Sequence, residues 1–91
     1  MNVDDDLILK KKDDVIERHG EELLLFDSST GKLFEINETG KIIWMMLDGT
    51  HAVREIKELL KDEYEDIIEL YRDLSDFLNK LYELGLIDKL E

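Results

Sequence analysis

Two periods of hydrophobic residues divide the chain. From Val15 to Ile36 the apolar positions come in short runs of strand length, and from Thr39 onward they recur every three or four residues. Glu22 to Phe26 and Lys32 to Ile36 are two such runs, separated by Asp27-Ser28-Ser29-Thr30-Gly31, whose turn-forming side chains and glycine predict a β-hairpin. In the second run Phe34 and Ile36 fall on one face, and Leu33 and Glu35 on the other. Before the hairpin, Val15-Ile16 extends the strand-like region. Met1 to Lys12 holds a Leu7-Ile8-Leu9 island between Asp4-Asp5-Asp6 and Lys10-Lys11-Lys12, and reads either as a flexible segment or as a first edge strand.

The helical half predicts three helices. In the first, Ile42, Ile43, Met46 and Leu47 share a face, with Asn37 or Thr39 as cap and Asp48-Gly49 as stop. Thr50 is placed to cap a second, with Val53, Ile56, Leu59 and Leu60 on its apolar side. Asp62-Glu63-Tyr64-Glu65-Asp66 forms the connecting turn. A third helix is predicted from Asp66, with Glu69 as its capping-box partner, to Leu84, where Gly85 and Leu86 make a Schellman stop. It carries two apolar stripes. Ile67, Tyr71, Leu74, Leu78 and Leu81 are expected to face the core. Leu70, Phe77 and Leu84 form a second line, which reads either as the edge of that core face or as the border of a groove. Gly40, in the first turn of its helix, calls for close packing against the preceding strand. Trp44 lies off the first helix's apolar line and either covers the side of the bundle or marks a contact surface.

Length and charge narrow the possibilities. A chain of 91 residues supports one small core, and 43% hydrophobic residues are enough to build it. The formal net charge of −12 disfavours phosphate backbones, so no nucleic-acid partner is expected. Without cysteine there is no disulfide, thiolate nucleophile or cysteine-ligated metal. No apolar run approaches a membrane span, and the acidic start is unlike a signal peptide, so a cytoplasmic protein without membrane association is expected. Ser28, Ser29 and Ser75 stand in no nucleophile–base spacing with His19 or His51, the histidines have no ligand partner a helical turn away, and no phosphate-binding glycine loop occurs. Neither catalysis nor a metal or other cofactor is expected.

A hairpin followed by three helices is the pattern of a winged helix-turn-helix-like α+β domain with its strands first. Within it, Leu33 to Glu55, LFEINETGKIIWMMLDGTHAVRE, resembles the PqqD family, with its Asn-Glu-Thr-Gly turn into an Ile/Trp-containing helix and its Asp-Gly before a Thr-led helix. Arg72 to Ile87, RDLSDFLNKLYELGLI, is similar to the ending of the same family. The resemblance covers the chain from about Val15, dividing it into an N-terminal segment, 1–14, and a recognition domain, 15–91. It implies a non-catalytic element that grips the leader segment of a ribosomally made precursor peptide. The leader would then be delivered to a tailoring enzyme, either a radical SAM protein or a lasso-peptide protease and cyclase. It also implies that the leader adds as an antiparallel strand to Lys32, Leu33, Phe34, Glu35 and Ile36, against a helix wall of Leu70, Asp73, Leu74 and Phe77. One departure is Asp27-Ser28, where many members have a Pro-Glu-like turn. The alternatives are a winged-helix DNA-binding regulator, against which the acids of the third helix argue, and a subunit docking on a larger enzyme through Trp44 and the first helix.

Overall fold

The computed structural model describes residues 1–90 as two three-stranded antiparallel sheets around three helices. The strands are β1 (Ile8–Lys11), β2 (Val15–His19), β3 (Leu23–Asp27), β4 (Lys32–Ile36), β5 (Asp48–Ala52) and β6 (Ile87–Lys89). The helices are α1 (Glu38–Met45), α2 (Val53–Leu60) and α3 (Ile67–Glu83). The architecture is the expected α+β one, with an added sheet.

One sheet has the order β2-β3-β4. Its ladders run without a break, from Val15 opposite Asp27 to His19 opposite Leu23, and from Leu23 opposite Ile36 to Asp27 opposite Lys32. The β3–β4 turn holds that register. The buried Asp27 carboxylate accepts from the Ser29 amide at 3.0 Å and the Ser29 hydroxyl at 2.7 Å, while Gly31 takes φ of 76°. The Ser29 hydroxyl, followed by further donors of the turn, holds Asp27 below the usual carboxylate range.

The second sheet, β5-β1-β6, corrects two expectations. Ile8–Lys11 is neither flexible nor an edge; it is the central strand, and Leu9 is buried in the same core as the rest of the chain. Asp48–Ala52 is a strand and not a helix-capping loop. Thr50 lies within it, donating its hydroxyl to Asp48 at 2.7 Å, and α2 begins at Val53 with the Glu55 carboxylate accepting from the Ala52 amide at 3.1 Å. Beyond α3, Ile87–Lys89 returns as a strand beside β1.

The helix ends follow their side chains. The Asn37 carbonyl oxygen accepts from the Gly40 amide at 2.8 Å, and Asp66 accepts from the Ile68 amide at 2.9 Å. At the end of α3 the Gly85 amide donates to Tyr82 and the Leu86 amide to Leu81, the two bonds of a Schellman stop. The face of α3 that meets the core is Leu70, Leu74, Leu78 and Leu81. Ile67 and Tyr71, expected there, are 47% and 44% exposed. Leu70 and Tyr71 both stand a helical turn before Leu74, so spacing alone does not choose between them. The aliphatic side chain takes the core, and the Tyr71 ring stays at the surface under the Lys57 ammonium, 4.0 Å from its centroid. Trp44 is fully buried with the Lys11 ammonium 5.1 Å from its ring, which removes it as a contact surface and with it the docking role proposed through it.

Candidate peptide-binding groove

Among the described residues strand β4 pairs only with β3, leaving its other edge without a strand partner. Facing that edge lies a cavity of about 370 Å³. Glu35, Ile36 and Asn37 of the β4 end form one side, and Asp73, Leu74, Asp76 and Phe77 of α3 the other. Thr39, Gly40 and Ile43 of α1 close one end, with Leu60 and Tyr64 also contributing. The lining is mixed: Ile36, Ile43, Leu60, Leu74 and Phe77 supply apolar surface and Glu35, Asp73 and Asp76 carry three carboxylates, with no lysine or arginine.

Local geometry brings these walls together. A β-carbon at Gly40 would stand 2.7 Å from Ile36 Cγ2 and 3.2 Å from Phe77 Cζ, so only glycine lets the first turn of α1 sit this close to both walls. This is the close approach that the sequence asked of Gly40. Tyr64 donates its hydroxyl to the Asp73 carboxylate at 3.3 Å. Burial, then the Asp73 charge, pushes the Tyr64 phenol above its ordinary value, keeping it a neutral donor.

The nine residues named from the sequence separate into three groups. Glu35, Ile36, Asp73, Leu74 and Phe77 line the cavity. Lys32, Leu33 and Phe34 lie farther along the same edge strand, with Phe34 half-buried toward the core and Leu33 exposed on the opposite face. Leu70 is a correction: it is wholly buried in the core and offers no groove surface. Its neighbours on the second stripe, Phe77 and Leu84, are half-buried. Asn37, Thr39, Gly40, Ile43, Leu60, Tyr64 and Asp76 also line the cavity and were not named for it. The acidic stretch around Tyr64 read only as a turn, and nothing in its spacing reveals that its one aromatic ring faces the groove.

His19 and His51 stand away from this cavity. His19 pairs with Glu17 at 2.9 Å, and His51 with Asp48 at 2.9 Å. Among the described residues no group of histidines and carboxylates is arranged to hold a metal ion, and no helix is long and apolar enough to cross a membrane.

An open strand edge, a facing helix and a cavity with apolar side chains between them define a class of domain that takes an extended peptide as an added strand. The family model described as coenzyme PQQ synthesis protein D (PqqD) matches residues 22–87, and the chain belongs to this family. Among solved structures it is similar to TbiB1 in complex with the TbiA(beta) leader peptide. That match has 32% identity and a TM-score of 0.78 over 87% of this chain and 94% of that one. A lasso peptide synthetase B1 complexed with its leader peptide shares the fold at 23% identity and a TM-score of 0.74, over 88% of this chain and 96% of the other. No curated protein matches the sequence.

Proposed function

We infer that this chain is a non-catalytic recognition domain for the leader segment of a ribosomally synthesised precursor peptide. The leader adds as a strand to the free edge of β4 and sets apolar side chains into the cavity between β4 and α3. The observation that carries this reading is the regular five-residue edge of β4 beside a cavity of about 370 Å³ with apolar side chains in its lining. Main-chain hydrogen bonds to the edge supply affinity without regard to sequence, and the pockets beside it supply selectivity. Family membership and the likeness to TbiB1 bound to a leader peptide support it.

The domain presents the peptide and leaves the chemistry to a tailoring enzyme, of the radical SAM type or the protease and cyclase of a lasso-peptide pathway. No step is asked of its own residues, and no cofactor. DNA recognition through α3 is opposed by charge: Asp66, Glu69, Asp73, Asp76 and Glu83 outnumber Arg72 and Lys80 on the segment that would enter a groove.

Calorimetric titration with the synthetic leader of its cognate precursor peptide tests the reading. We expect a dissociation constant of about 1 μM or tighter, equivalent to about −8 kcal/mol. No heat and no change in amide spectra at high peptide concentration would overturn it.

A further inference from the structure

The face of the β2-β3-β4 sheet turned away from the helices carries an unusual row. Ile16 lies opposite Phe26, and Phe26 opposite Leu33, so one cross-strand line runs through all three strands. These side chains are 56%, 38% and 63% exposed. The next row on the same face is Arg18, Leu24 and Glu35, in the same register. Both rows stop at the free edge of β4. Leu33 ends the first with an apolar side chain, and Glu35 ends the second with a carboxylate that forms no ion pair among the described residues.

A strand added to β4 inherits these rows. Its side chains alternate with a period of two, and each stands about 5 Å from the residue it faces. Whatever faces Leu33 extends an exposed apolar line, and whatever faces Glu35 meets an unpaired negative charge. The charges nearby are mainly negative. Glu35 shares a shallow outward-facing cavity with Arg18, Leu24, Glu21 and Glu22, where two further carboxylates stand against the one cation, and Asp73 and Asp76 stand in the adjoining cavity. The residues facing Phe34 and Ile36 turn to the other side of the sheet, the latter toward the cavity that Ile36 lines.

We propose that the peptide is read on both faces of the added strand. An apolar side chain faces Leu33 and a Lys or Arg two residues away faces Glu35, with the residue on the far side of that cation anchored in the cavity. The recognised segment has the pattern apolar, any, basic, apolar, in an order set by strand direction. The proposal rests on the groove reading above and adds to it a second, outward-facing code.

A displayed library of random dodecapeptides selected against the whole chain tests it. The enriched peptides are expected to share an apolar and a basic residue spaced two apart, with a second apolar residue next to the basic one. For one enriched peptide, replacing the basic residue by Glu should weaken binding about fivefold, and Glu35→Lys should reverse the preference. Leu33→Asp should remove selection for the outward apolar residue while leaving the basic one. Glu35 and Leu33 are exposed, and an unchanged circular dichroism spectrum checks that both variants fold. Peptides that bind and compete at the β4 edge, yet are indifferent to charge facing Glu35 in both forms of the protein, would overturn the outward code alone. A selection that enriches nothing would overturn the groove reading and this proposal with it.

Discussion

The two sheets have the same number of strands and the same antiparallel pairing, yet their edges differ. In β5-β1-β6 the register shifts between Ile8 and Lys10, Gly49 of β5 takes φ of 82°, and β6 is three residues long with Asp88 and Lys89 in it. Irregularity, brevity and charge are the ordinary means of keeping a sheet edge from pairing with another chain. In β2-β3-β4 the five residues of β4 lie in unbroken register with an exposed leucine among them, so its edge has neither irregularity nor brevity and only the charges of Lys32 and Glu35 mark it. One sheet ties the two ends of the chain into the core, and the other keeps an edge open. A domain this small dedicates half of its β structure to closure so that the remaining half can stay unsatisfied.

The sharpest way to break this comparison is to damage the closing sheet. Leu9 at the centre of β1 is buried against the shared core. Leu9→Ala should cost about 2–5 kcal/mol of unfolding free energy, the range for removing a buried leucine side chain. Urea denaturation checks it, and a loss below about 0.5 kcal/mol would return residues 1–14 to the status of an appendage. Phe77→Ala should do the reverse, acting on the open side. It is half-buried in the cavity wall, so we expect leader affinity to fall about 10- to 100-fold while the urea midpoint changes much less. Equal affinity for variant and parent would remove Phe77 from the site.

Gly40→Ala sharpens the comparison at the joint between the walls. The added methyl carbon meets Ile36 and Phe77, so the groove must widen or its walls repack. Alanine's helix propensity offsets part of that cost, leaving a net destabilisation of about 1 kcal/mol together with weaker peptide binding. Paired thermal melts and titrations would show it, and a variant that is more stable with unchanged affinity would mean that the walls yield freely.

Much of this contrast was legible in the sequence where local chemistry decides structure. Asp27 to Gly31 specified the hairpin turn, Asn37 and Asp66 specified caps, and Gly85-Leu86 specified a stop, because each acts on its own neighbours. The β5-β1-β6 sheet was not legible. Its strands come from residues 8–11, 48–52 and 87–89, and no run of β-branched or alternating residues marks Asp48–Ala52 as extended. Long-range pairing supplies what propensity does not. At the groove, β4 and the lining residues Asp73, Leu74 and Phe77 were named through the family resemblance, since spacing alone put Leu74 on the core stripe. Leu70 and Tyr71 exchanged places because helical spacing fixes a stripe only to within one residue. Tyr64 was missed because an aromatic ring in an acidic turn carries no periodic signal.

The smallest expected effect lies at the protected edge. Asp48 accepts from the Thr50 hydroxyl at 2.7 Å and pairs with His51 at 2.9 Å. The Thr50 hydroxyl, followed by His51, holds Asp48 well below its ordinary value, and the bond to Asp48 lifts His51 above its ordinary value near 6.5. Each shift has its own pH window. The contribution of protonated His51 is complete below about pH 6.5 and is lost as pH rises through its raised folded value. That of Asp48 is complete above about pH 4 and is lost only as pH falls through its lowered value. The pair therefore supports β5 most between these limits, with a small effect because both groups are exposed to solvent. Following the His51 ring protons by NMR should give a titration midpoint above 6.5, which Asp48→Asn should bring back toward it. If the midpoint does not move in that variant, the pair plays no part in fixing β5, and the protected edge depends on Gly49 and the register shift alone.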